Sequence, residues 1–220
     1  MRVQLVGKTQ GIGKYENLSE EQLIAAIARH GTVKNDNGKL VKFLMDKKHW
    51  SPLDMIDFVF EIETSRAIGR HILRHTSMKF QEHSQRYSDK VIFEPIELRK
   101  EHVINRQSST NVFNPKLQEG VDIEADRYIG ALLEDVKFLY SQLIDAGVAK
   151  ETARMVLPEC TQTTLTVKGS LRSWLSFLNV RVEENAQKEI QEIAIQIGEV
   201  LETILPNVFS EIKWRNGLFM

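Results

Sequence analysis

Residues 51–65 read SPLDMIDFVFEIETS. The stretch alternates as one strand over 51–65, with Ile56, Phe58, Phe60 and Ile62 on one side and Asp57, Glu61 and Glu63 largely on the other. A period of two predicts a strand with one buried face. The next residues, RAIGRHILRH, change to a helical pattern, with Thr64 or Ser65 as its cap. A half-buried strand running into a helix is the unit from which an α+β fold is built.

Working outward, the same two periods recur. VQLVG (3–7) reads as a short strand, and Ser19 with Gln22 forms a capping box before EEQLIAAIARHG, a helix closed by Gly31. KNDNGK (34–39) is a turn, and LVKFLMDKKHW (40–50) a short helix. Residues 76–88 lack a clean period and read as an ordered loop, VIFEPIEL (91–98) as a strand, and the polar residues 99–117 as a long loop. Ala125, Ile129, Leu132, Val136, Leu139 and Leu143 mark a helix within 118–147, ended by Gly147. KETARMVLP (150–158) is a shorter helix stopped by Pro158, CTQTTLTVKG (160–169) a strand and SLRSWLSFLNVR (170–181) a helix. Residues 184–205 form a strongly amphipathic helix through Ile190, Ile193, Ala194, Ile197, Leu201 and Ile204. The expected fold is α+β: a small, mostly antiparallel sheet covered by several helices, in one domain over residues 1–220.

Composition narrows the function. The chain has 220 residues, 42% hydrophobic and 27% charged, so it can bury a real core. A formal net charge of −1 gives no long-range hold on nucleic acid, and anion binding must come from local clusters. One cysteine, Cys160, excludes an intrachain disulfide framework and suits a reducing compartment. No apolar run approaches the roughly 20 residues of a membrane span, and MRVQLVGKTQ has too short an apolar stretch for a signal peptide. A cytoplasmic protein without membrane or nucleic-acid partners is expected.

GKTQGIGK (7–14) fails as a phosphate loop because five residues, not four, separate Gly7 from Gly13, and Tyr15 follows Lys14. His71 and His75 stand at i and i+4, but Arg70 and Arg74 beside them disfavour a divalent cation. HILRHTSMKFQEHSQRYS (71–88) instead concentrates Arg74, His75, Lys79, Glu82, His83, Ser84 and Arg86. Arginines suit bidentate contact with phosphate or a planar carbonyl ring, against the plainer reading of a surface loop held by its own ion pairs. A second cluster comprises Arg154, Ser170, Arg172, Ser176, Asn179 and Arg181. Arg154 and Arg181 lie in apolar surroundings and need a partner, either a carboxylate such as Glu159 or Glu183 or a bound anion or carbonyl.

Together these residues resemble the flavin-dependent thymidylate synthases. That family's signature is Arg-His-Arg, seven residues, then Ser, usually continuing to Arg-Tyr, and RHTSMKFQEHSQRYS keeps Arg74, His75, Glu82, Ser84, Arg86 and Tyr87 in register. HWSPLDMIDFVFEI is similar to the family's His-x-[Thr/Ser]-Pro-x-[Glu/Asp] segment, and ETARMVLP and SLRSWLSFLNVRVEENAQKEI extend the likeness over roughly residues 40–205. The sequence departs at Thr76, where the signature has Arg, and at Lys79, where Ser is usual. Ser170 and Ser176 stand where Asn is frequent.

The resemblance implies a homotetramer with sites shared between subunits, binding FAD, dUMP, methylenetetrahydrofolate and NADPH. It implies that Ser51, Arg74, His75, Thr76, Glu82, Ser170, Leu171, Arg172 and Ser176 line the flavin. His71, Ile72, Leu73, Arg74, Glu82, His83, Ser84, Gln85, Arg86, Arg154 and Arg181 would surround dUMP, with Arg181 as the catalytic group favouring the N3-ionised uracil. Cys160, in an expected strand without a base or an electropositive helix end, is not suited to attack on uracil. Two alternatives stand beside this reading. One is a relative giving another one-carbon product, such as a 5-hydroxymethyl group. The other is a catalytically silent nucleotide-binding protein.

Overall fold

The computed structural model describes residues 1–34, 37–117 and 123–216. The fold is α+β with small antiparallel sheets. Among the described residues the strands are β1 (Arg2–Lys8), β2 (Asp57–Ser65), β3 (Lys79–Glu82), β4 (Arg99–Glu101), β5 (Ser109–Val112) and β6 (Gln162–Ser170). The helices are α1 (Glu20–Ala28), α2 (Lys39–Asp46), α3 (Arg66–Leu73), α4 (Ala125–Asp145), α5 (Lys150–Ala153), α6 (Leu171–Arg181), α7 (Lys188–Ile204) and α8 (Pro206–Phe209). Four strands form one sheet in the order β1–β2–β6–β3, and β4 pairs antiparallel with β5.

The chain groups into two compact units. The larger holds residues 2–62, 71–81 and 165–220. Its core follows from the alternation in β2: Ile56, Phe58, Phe60 and Ile62 are fully buried, as are Leu165 and Val167 of β6. Trp174 of α6 meets Phe60 edge-on at 4.9 Å and Phe177 at 5.7 Å, and its indole N–H donates to the Phe58 carbonyl at 3.1 Å. Ser170 caps α6 by accepting from the Ser173 N–H at 3.2 Å, which fixes where the strand becomes a helix. Helix α7 packs on α6 with Ile190, Ile193, Ala194, Ile197 and Leu201 buried. The Ser19–Gln22 capping box opens α1, and Gly31, at φ +90°, follows its end.

The smaller unit holds Met1, residues 63–70 and 82–164. Its core is slight: Val91, Tyr140 and Ala153, with Phe93, Leu143, Ile144, Val148 and Leu157 packed against them. The Ser65 hydroxyl accepts from the Ile68 N–H at 3.3 Å, so Ser65 rather than Thr64 caps α3. In α4 only Ala125 and Tyr140 are buried, and Tyr128, Leu132, Phe138 and Leu139 are exposed.

Five sequence expectations are corrected. The strand expected over 51–65 begins at Asp57, because Ser51–Met55, with Pro52 near its start, winds into a 3-10 turn. The loop expected over 76–88 contains β3, which is too short to show a period of its own. The strand expected over 91–98 is reduced to one bridge, Phe93 to Thr161, and Pro95 has no N–H to extend a ladder. The long loop over 99–117 contains the β4–β5 pair, whose residues are mostly exposed and carry no apolar alternation. Cys160 lies in the turn before β6 rather than in the strand. Residues 35–36 of the expected turn and 118–122 of the expected helix lie outside the described residues.

Candidate active site

In the larger unit the polar side chains of interest are carried mainly by α6, whose buried face fixes its orientation. At its start, Asp54 of the short 3-10 turn Ser51–Met55 holds the cap of α6 and one residue of its first turn. The carboxylate accepts from the Ser170 hydroxyl at 3.0 Å and from Arg172 Nη1 at 3.1 Å. A carboxylate at a helix N-terminus is favoured by the peptide dipoles. Ser51 is exposed beside Asp54 in the same turn, and Ser176 is half-buried one turn beyond Arg172. Leu171 is fully buried and its N–H donates to the Ile56 carbonyl at 2.7 Å, so its side chain faces the core.

At the other end of α6, about 14 Å from Arg172 at 1.5 Å per residue, Arg181 meets the end of α3. Its Nε–H donates to His75 Nε2 at 3.0 Å, and Nη2 donates to the His71 carbonyl at 3.2 Å. Among the described residues no carboxylate pairs with Arg181, so its charge is not neutralised. Burial, and then the neighbouring Arg74 guanidinium, lower its pKa. The same causes act on His75: burial, then Arg181 and Arg74, push it down to about 4 from the ordinary 6.5. His71 is lowered by burial, Arg181 and Arg74, against an opposing pull from Glu189. The His75 ring also packs edge-on against Phe177 at 4.9 Å. Arg74 and Thr76 are exposed and Leu73 is partly so, whereas Ile72 is fully buried and turned away from solvent.

In the smaller unit, half-buried Glu82 at the end of β3 accepts from the Thr163 hydroxyl of β6 at 2.8 Å. Ser84 accepts from the Arg86 N–H at 3.2 Å and so shapes the SQRYS turn. Gln85 is buried, and its carbonyl oxygen accepts from Arg66 Nη1 at 2.6 Å. Two cavities adjoin Gln85. One, of about 290 Å³, is lined by Arg66, Arg70 and Arg154 with Glu159. The other, of about 220 Å³, is lined by Glu63, His83, Ser88, Lys90, Gln162 and Thr163 among others. Glu159 pairs with Arg70 at 2.9 Å, not with Arg154, and Arg86 pairs with Glu151 at 3.2 Å. Among the described residues Arg154 donates only to the Glu151 carbonyl, at 3.3 Å.

Of the expected residues, Arg74, His75, His71 and Arg181 form one group, Ser170 and Arg172 a second around Asp54, and Glu82 to Arg86 a third with Thr163 and Arg66. Asp54, Thr163 and Arg66 were not among the expected site residues. Asp54 had a signal as the acid of the SPLD segment; Thr163 had only its inward place in an alternating strand, and Arg66 none. The donor set of the second group is hydroxyls and an exposed guanidinium beside a helix start, with Arg74 a further exposed guanidinium on α3's end. That chemistry fits an anionic, electron-rich cofactor such as a flavin nucleotide.

The family model described as thymidylate synthase complementing protein matches residues 13–207. The chain belongs to this family. It is 38% identical over 202 residues to the flavin-dependent thymidylate synthase of Synechocystis sp., covering 90% of this chain and 92% of that protein. It is 31% identical over 222 residues to a probable flavin-dependent thymidylate synthase of Paramecium bursaria Chlorella virus 1, covering 97% and 100%. The flavin-dependent thymidylate synthase of Thermosipho melanesiensis is 34% identical over 172 residues, covering 77% of this chain and 73% of that one. Among the described residues no helix is long and apolar enough to cross a membrane.

Proposed function

We propose that this family member is a flavin-dependent thymidylate synthase that converts dUMP to dTMP. It would take its one-carbon unit from methylenetetrahydrofolate. FAD reduced by NADPH would supply the hydride for the uracil ring. Ser51, Arg74, His75, Thr76, Glu82, Ser170, Arg172 and Ser176 would hold the flavin, with Leu171 contributing backbone only. His71, Leu73, Arg74, Glu82, His83, Ser84, Gln85, Arg86, Arg154 and Arg181 would hold dUMP, Ile72 again through backbone.

The observation that carries the reading is Arg181, a half-buried guanidinium held by an imidazole and a carbonyl instead of a carboxylate. A cation without a counter-charge in a partly dry site stabilises a developing uracil anion far more than it could in water. The three arginines of the 290 Å³ cavity supply the charge that a nucleotide phosphate needs. The chain's thiol is a poor alternative nucleophile, since burial raises the Cys160 pKa. Exposed apolar side chains along α4, among them Phe138 and Leu132, support self-association of a one-domain chain into a homotetramer. The reading places the enzyme in the cytoplasm, with no nucleic-acid or membrane partner.

The test is spectroscopic. With oxygen excluded, flavin absorbance of the purified protein should bleach with NADPH and return only when dUMP and methylenetetrahydrofolate are both added, with dTMP as product by mass. In single turnover, Arg181→Ala should slow this return by about two to three orders of magnitude. A normal rate in that variant would remove Arg181 from the chemistry, and a hydroxymethylated product would change the reaction assigned.

A further inference from the structure

We propose that His75 is the positioning residue for Arg181: a neutral imidazole, protonated on Nδ1 and not on Nε2, that fixes the rotation of the guanidinium. The inference rests on the reading of Arg181 given above and adds the group that aims it.

The hydrogen-bond inventory forces the protonation state. An arginine side chain has donors only. Its Nε–H points at His75 Nε2 at 3.0 Å, so that nitrogen must offer a lone pair. The second anchor, from Nη2 to the His71 carbonyl at 3.2 Å, fixes the guanidinium plane about a second axis. Nη1 then has no partner among the described residues and is left to face a ligand. The imidazole is itself held by the Phe177 ring, one turn before Arg181 on α6. The charged groups acting on it favour the neutral form. Arg181 on α6 and Arg74 beside it are cations, His71 is itself held low, and Glu189 of α7 acts on His71.

A carboxylate in place of His75 would hold Arg181 as firmly but would cancel the charge needed at the ring. An imidazole gives direction without neutralisation. Protonation of His75 would set two cations against each other and release the guanidinium. Misplacing a group at the reacting centre by about 1 Å costs on the order of 10²-fold in rate.

The experiment is nitrogen NMR of the purified protein labelled with 15N-histidine, in which His75→Gln identifies the His75 signals. The expected result is an Nδ1–H imidazole that stays neutral through pH 6.5 and titrates near 4. In Arg181→Ala the imidazole should lose that fixed form and titrate closer to the ordinary value. Kinetics form the second arm. His75→Phe keeps the ring packing and removes the acceptor, so kcat should fall about 10²-fold with dUMP KM changing much less. His75→Gln, which keeps a neutral acceptor, should recover part of the loss. A wild-type His75 protonated on Nε2, or a His75→Phe enzyme with the normal single-turnover rate, overturns the proposal whatever the product. A protein that forms no dTMP but shows the expected tautomer and its response to Arg181→Ala overturns the proposed function and leaves the His75–Arg181 pairing standing.

Discussion

Thr163 of β6 donates its hydroxyl proton to Glu82 of β3 across 2.8 Å. Thr163 is 5% exposed, and Glu82 gains a fixed orientation from a neighbouring strand. Thr163→Val keeps the shape and removes the donor. The carboxylate then loses a charge-assisted bond worth about 1.5–3 kcal/mol. The expected outcome is a melting temperature lower by several degrees, at about 2–4 °C per kcal/mol for this chain length, together with weaker dUMP binding. Thr163→Ser should restore both. A Val variant that melts and binds like wild type would show that Glu82 is held by other means.

Arg86 presents the opposite case. Its ion pair with Glu151 spans 3.2 Å, but the two side chains are 62% and 55% exposed. Such surface pairs contribute little to stability. Arg86→Ala should therefore shift stability by no more than about 0.5 kcal/mol and yet lower dUMP affinity at least about tenfold, the loss of one charge-assisted contact. Denaturant unfolding and titration calorimetry on the same preparation separate the two effects. Unchanged dUMP affinity takes Arg86 out of the nucleotide site.

Much of the fold was legible because burial follows period. Phe58, Phe60 and Ile62 alternate in sequence and are all fully buried, and Ile190 to Leu201 repeat at helical spacing and are buried too. Caps were legible where a short side chain must satisfy a free N–H, as at Ser19 and Gln22. What could not be read were elements without a period. β3 has four residues, and β4 and β5 have three and four with mostly exposed side chains. The site was legible as residue types and not as partners. Sequence offered Glu183 or a ligand for Arg181; the structure gives His75, a neighbour 106 residues away. Likewise Glu159 was a candidate for Arg154 and pairs with Arg70. Pairings across such separations depend on tertiary packing that spacing alone does not encode.

The histidines at the end of α3 give stability a pH dependence with a definite sign. His75 is held at about 4 and His71 is also lowered, whereas both return to about 6.5 on unfolding. Between these values the unfolded chain binds more protons than the folded one, so stability falls as pH drops from 6.5 toward 4 and is unaffected by these groups above 6.5. Melting temperature measured over pH 4–7 should fall more steeply for wild type than for His75→Gln, which has no proton to gain. Equal slopes would mean that His75 titrates normally in the folded protein.

Cys160 tests the chemistry from the other side. It sits half-buried in the turn before β6, and burial raises the thiol pKa, so little thiolate exists near neutral pH. Its backbone carbonyl accepts from the Glu94 N–H at 2.8 Å, a role that any residue at 160 can fill. Cys160→Ser preserves that backbone and removes the chain's one thiol. If uracil is activated by the guanidinium of Arg181 and not by thiolate addition, the variant should turn over dUMP within about threefold of wild type, a change of less than 1 kcal/mol in the barrier. It should also resist inactivation by iodoacetamide over the same period. Loss of more than about two orders of magnitude in a Cys160→Ser protein that still folds and carries flavin would return the thiol to the reaction and displace Arg181 as the activating group.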